Sequence, residues 1–227
     1  VQFLVDYMQR PAAQWDGVYH IFPTVSPELY GLTPGLRKNA DCIVDLTLTK
    51  FVFKAFLEAV TVLDIQSQEH ELVTAVRDIL ANFPSYPTAD TPAGPVFVSV
   101  PHEDPEVVYN VPSSTTTIFP GEEHGLHSPP AEYAIAARTL RQQRNEGGNE
   151  LVFLNLQYAR MGMLDLARFK RQIAYCMLPN GTCTDMVLQV HGRYRDDLPF
   201  DFMAPMGIWL ENFALPAVIN ECVMQSY

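Results

Sequence analysis

Apolar residues recur at helical spacing in several separate stretches of this chain, divided by long runs with no period at all. The longest runs from Asp41 to about Leu63, where Ile43, Leu46, Thr47, Lys50, Phe51, Phe53, Lys54, Leu57, Val60 and Leu63 form a broad face. Its many β-branched residues weaken helix propensity, so burial must hold it together. A second helix over about 68–82 stops at Phe83-Pro84, giving an antiparallel helical hairpin. Further helices are predicted at about 131–145, 149–162 and 165–177. Gly147-Gly148 breaks the first pair, and Asn149 and Asp165 stand at capping positions. Residues 1–9 read as the end of another amphipathic helix, stopped by Arg10-Pro11.

The closing stretch, Gly207–Tyr227, predicts a last helix with Pro216 in its first turn, where a missing N–H costs least. Phe213, Ala217, Val218, Cys222 and Val223 would form its buried face. Glu211 and Asn212 then sit on a loop at the helix mouth, near the positive end of its dipole. The intervening segments, about 11–39, 84–130 and 178–206, are rich in proline, glycine and polar residues. Only Pro95–Pro101 and Met186–Val190 look like short strands in the latter two. Helical hairpins alternating with long, residue-specific loops predict a mainly α chain, a single helical domain over 1–227 of (α/α) toroid type. A compact bundle would have short polar loops.

Composition narrows the function classes. With 26 acidic against 15 basic residues the net charge is −11, which disfavours a nucleic-acid backbone as partner. No apolar run is long enough to span a bilayer. No Walker loop, HExxH, nucleophile elbow or dinucleotide fingerprint occurs, so no cofactor is expected. The four cysteines lack CxxC spacing, and no metal site is expected either. Cys176 and Cys183 flank a Pro-Asn-Gly turn and either pair or stay free; Asn180-Gly181-Thr182 is a glycosylation sequon. The chain opens inside a helical pattern with no charged leader before it, as expected of part of a longer protein.

Candidate chemistry lies in the irregular stretches. Glu28 follows Ser26-Pro27, so a stiffened turn aims its carboxyl, and apolar neighbours would raise its pKa as a general acid requires. Glu122, Glu123, His124 and His127 share one loop and could hydrogen-bond sugar hydroxyls. Arg144, Asn145, Glu146, Asn149 and Glu150 form a polar helix junction that mixes capping with possible ligand contact. Trp15 and Trp209, the only tryptophans, suit stacking on a sugar ring or packing in a core.

Four landmarks in order resemble glycoside hydrolase family 95, the α-L-fucosidase-related group. They are Thr24-Val25-Ser26-Pro27-Glu28 with Asp45 and Phe56–Leu63; Phe119-Pro120-Gly121; Phe153–Arg160; and Asn212-Phe213 followed by Gln225-Ser226. The resemblance implies an (α/α)₆ toroid that hydrolyses terminal glycosidic bonds with inversion, with a carbohydrate as partner and a secreted or periplasmic location. It assigns the general acid to Glu28. The family's base falls at Leu210, with Glu211 one residue later where the family has glycine. Glu211 is therefore the substitute base, and Asn212, Trp209, His124, His127 and Asn149 are the substrate-binding candidates. Twelve toroid helices with their connections need roughly 250 residues or more. The chain thus corresponds to about the C-terminal half, whose apolar flank a missing N-terminal half or another subunit would cover. A second reading, favoured by Leu210, is a carbohydrate-binding or scaffold protein without catalysis. A third, sugar epimerisation, would need paired histidines, for which His124, His127 and His191 are the candidates.

Overall fold

A computed structural model describes residues 1–8, 16–27, 29–105, 111–143, 146–147, 150–176, 187–188 and 210–225. The chain is mainly helical. In order, it forms α1 (Gln2–Tyr7), α2 (Ile43–Val62), α3 (His70–Ala81), β1 (Thr88–Ala89), β2 (Val96–Phe97), α4 (Pro130–Gln142), β3 (Glu146–Gly147), α5 (Glu150–Arg160), α6 (Leu166–Cys176), β4 (Val187–Leu188) and α7 (Leu210–Val223). Single 3₁₀ turns at Pro34–Leu36 and Ser113–Thr115 shape the loops. The strands form two small antiparallel pairs, with Thr88 opposite Phe97 and Glu146 opposite Leu188.

Burial follows the helical period. Leu46 and Phe53 of α2 meet Val76 and Ile79 of α3, and Met8 and Ile21 close that cluster. At the other end of α2, Ile43 joins Phe97, Ile118, Leu140, Leu154 and Met161, gathering α2, β2, α4 and α5 around one core. A third cluster packs Leu151, Val152 and Leu156 of α5 against Phe169 of α6 and Val218 of α7. The Asp165 carboxylate accepts hydrogen bonds from the Ala167 and Arg168 N–H groups at 2.8 and 3.0 Å, the expected cap of α6.

The outer side of α2 is different. Leu48, Phe51 and Val62 lie within one arc of the helix and are 37%, 40% and 76% exposed, forming an apolar stripe that no described element covers.

Two expectations for the last helix are corrected. α7 begins at Leu210, so Glu211 and Asn212 lie in its first turn and not on a loop ahead of it. Pro216 sits inside the helix, where its ring nitrogen cannot donate to the Asn212 carbonyl four residues back. The buried face also differs. Val218 is fully buried, with Ala214 and Leu215 packed beside it, whereas Ala217, Cys222 and Val223 are exposed.

Candidate functional site

Helix α5 carries more polar residues inward than an amphipathic pattern requires. Asn155, Gln157 and Arg160 are all buried, and each reaches a different partner. Asn155 Nδ2 donates to Gln172 Oε1 on α6 at 2.9 Å. Gln157 accepts from the Thr115 hydroxyl at 2.7 Å and donates to the Phe119 carbonyl at 3.0 Å, fixing both ends of the segment 115–119. Arg160 Nε donates to Glu221 of α7 at 2.9 Å, and Nη2 to Glu122 at 3.1 Å, with its guanidinium 4.9 Å from the Phe119 ring centroid. The Gln225 side chain donates to the Ala159 carbonyl at 3.0 Å, tying the end of the chain to α5 as well.

The loop so held approaches α2 very closely. A Cβ added at Gly121 would lie 2.0 Å from Thr47 Cγ2 and 2.9 Å from the Thr116 carbonyl oxygen, so only glycine fits. Next to it, Glu123 is paired with Lys50 and accepts from the Tyr86 hydroxyl, with Lys54 at 3.8 Å. Burial opposes the Glu123 charge, but Lys50 and Tyr86 outweigh it and hold its pKa below the usual carboxylate value. Tyr86 is pushed up, by burial first and then by Glu123.

Beside this scaffold lies a cavity of about 280 Å³. It is lined by Pro27 and Val44, by Val111, Pro112, Ser113 and Thr116, and by Phe119, Pro120, Phe153 and Gln157. Carbon dominates the lining, and Phe119 and Phe153 lie 5.7 Å apart between ring centroids at 45°. A small apolar cleft with a few polar atoms is the usual form of a small-molecule site.

Next to Val44 in sequence, Asp45 stands in the first turn of α2 and accepts from the Thr24 hydroxyl. Burial pushes its carboxyl above the usual range despite that bond. The sequence marked Asp45 only as a landmark; no local signal tells that Thr24, twenty-one residues earlier, would be its partner. The neighbouring Cys42 thiol is fully buried and raised to about 12, chiefly by burial, which makes it a poor nucleophile.

Of the candidates named from sequence, Glu28, Asn149, Trp209, Trp15 and His191 lie outside the described residues, as does the Cys176–Cys183 pairing. Glu211 and Asn212 are placed as helical backbone. His124 is buried with its ring 5.4 Å from that of Phe97, and its Nδ1 has no hydrogen-bond partner. Burial lowers its pKa, so it is neutral at pH 7. His127 is exposed. The two histidines are therefore not an exposed pair, and Glu122 and Glu123 are held by Arg160 and Lys50. Among the described residues no three His, Cys, Asp or Glu side chains cluster as metal ligands would.

The chain was compared with protein-family models and with curated proteins, and it matches none.

Proposed function

We propose that this chain is the C-terminal part of a glycoside-hydrolase-like helical toroid, and that the cavity beside Pro27 receives a terminal sugar. One observation carries the reading. Pro27, Val44, Phe119, Pro120, Phe153 and Gln157 all line that cavity, so segments that resemble the glycosidase family at three separated places in the chain meet at one hollow. The fourth, the closing helix, packs directly behind them through Arg160–Glu221 and Gln225. The exposed stripe on α2 agrees with a hairpin whose neighbour in the toroid lies beyond this chain.

In this reading Glu28, the residue after Pro27, protonates the leaving oxygen, and Glu211 or a group supplied by the rest of the toroid activates water. An inverting pair of carboxyls stands roughly 6.5–9.5 Å apart, leaving room for that water. Phe119 and Phe153 give the sugar's carbon face an apolar wall, and Gln157 offers an amide to its hydroxyls.

A carbohydrate-binding protein without catalysis is the second reading, and Leu210 favours it because leucine cannot accept a proton. Hydrolysis of a panel of aryl glycosides by the wild type, Glu28→Gln and Glu211→Gln separates the two. The enzyme reading expects turnover that falls about 10²–10⁴-fold in Glu28→Gln. Equal inertness of all three, with sugar still bound, leaves the binding protein. The secreted or periplasmic location belongs to the same proposal. Among the described residues no helix is long and apolar enough to cross a membrane.

A further inference from the structure

On leaving Pro27 the chain folds into a second feature that the cavity does not use. Asn39, fully buried, organises the loop 29–41 from its centre. Its Oδ1 accepts from the Thr33 N–H and hydroxyl, both at 2.8 Å, and its Nδ2 donates to the Thr24 and Gly31 carbonyls at 2.9 and 2.8 Å. The Lys38 N–H donates to Thr33 Oγ1 at 3.1 Å, and Arg37 Nε to the Pro34 carbonyl at 3.3 Å. The loop thus holds two consecutive cations in set positions.

A second wall faces them, built from Pro101 and His102. His102 has a φ of +61°, a left-handed conformation that costs a non-glycine residue energy and needs anchoring. The anchor is the buried Glu103, which accepts from the Ser99 N–H at 2.6 Å and from the Tyr30 hydroxyl. The Tyr30 ring lies 3.8 Å below the Lys38 ammonium, so one tyrosine couples the two walls. Between them is a cleft of about 540 Å³ lined by Thr33, Pro34, Arg37, Lys38, Pro101 and His102. That lies within the range of roughly 300–1,000 Å³ common for small-molecule sites.

No carboxylate lines the cleft, and among the described residues neither Arg37 nor Lys38 forms an ion pair. In a chain of net charge −11, two adjacent cations that form no salt bridge among the described residues stand out. We propose that this cleft binds the anionic group, a carboxylate or a phosphate or sulfate ester, of a sugar-sized ligand. Arg37 grips the anion through its planar fork, Lys38 adds a point charge, and the Thr33 hydroxyl and His102 ring bond the ligand's hydroxyls. The site stands independently of hydrolysis at Glu28, because none of these residues lines the cavity.

Calorimetric titration of the full chain at low salt tests this with glucuronate, glucose 6-phosphate, glucose 6-sulfate and uncharged glucose. At least one charged sugar binds more tightly than glucose, the margin over glucose disappears in the Arg37→Gln/Lys38→Gln variant, and the preferred sugar identifies the anion. Affinity falls as salt is added. The Arg37→Gln/Lys38→Gln variant loses affinity by roughly tenfold or more, as expected on removing charge-assisted hydrogen bonds. Arg77→Gln, a neutralised exposed cation on α3, binds as the wild type does. A thermal melt of each variant confirms that the replacements leave the fold intact. Failure of all the charged sugars to bind, equal binding of glucose, or equal affinity in the double variant overturns the proposal. None of these readouts involves turnover, so an inactive Glu28 leaves the result interpretable.

Discussion

Arg160 concentrates the energetics of the site into one side chain. It is 10% exposed, and its partner Glu221 is 14% exposed, so each depends on the other for the solvation it has lost. Replacing Arg160 by Met should cost about 3 kcal/mol, because a mostly buried carboxylate is left unpaired. Glu221→Gln added to that variant should recover part of the loss. Chemical denaturation of the two single variants and the double variant measures the coupling, and additive effects would refute it. His20 is another residue whose surroundings shift its charge state. Burial disfavours its protonated form, but hydrogen bonds to Asp41 at 2.5 Å and Asp16 at 3.1 Å outweigh that and raise its pKa above 6.5. The sign follows from linkage: the protonated form stabilises the fold fully below about pH 6.5, and this is lost as pH rises through the folded value. Melting temperature should therefore fall over that window in the wild type and fall less in His20→Gln. Parallel profiles would contradict the assignment.

At the scale of elements, periodicity and punctuation located the helices well. The expected spans 41–63, 68–82 and 165–177 became Ile43–Val62, His70–Ala81 and Leu166–Cys176, each shorter by a residue or two at the ends. Asp165 caps α6 as its side-chain type implies. The start of α7 was not legible, because proline is favoured in a helix's first turn and costly further in, and the local sequence does not show that packing against α5 would carry that cost. The polar face of α5 was equally hidden. Gln157 and Arg160 fall on its inner side because Thr115, Phe119 and Glu221, all distant in sequence, bond them, and Asn155 because its amide donates to Gln172 of α6. The cationic cleft has the same character, since Arg37 and Lys38 meet His102 only after folding. One contact between elements has a sharp test. Gly121→Ala forces a methyl into Thr47 on α2 and should destabilise the fold by about 1–3 kcal/mol. A Thr47→Ser change, which removes the clashing methyl, should restore part of that loss. An unchanged midpoint in Gly121→Ala would show that the loop does not sit against α2 as described.

Across the whole molecule, the segment that begins at Thr24 contributes to the lining of two hollows. One is carbon-lined and gathers Pro27, Val44, Phe119 and Phe153; the other is cationic and gathers Arg37, Lys38 and His102. The residue between Pro27 and Leu29 is Glu28, so the proposed acid belongs by sequence to the loop that builds both. The carbon-lined cavity is proposed as a sugar site served by this glutamate. A crystal structure of Glu28→Gln with a bound methyl glycoside provides the test. The sugar is expected against Phe119 and Phe153, its glycosidic oxygen within hydrogen-bond reach of residue 28. A sugar bound elsewhere, or residue 28 turned away from that oxygen, would contradict it.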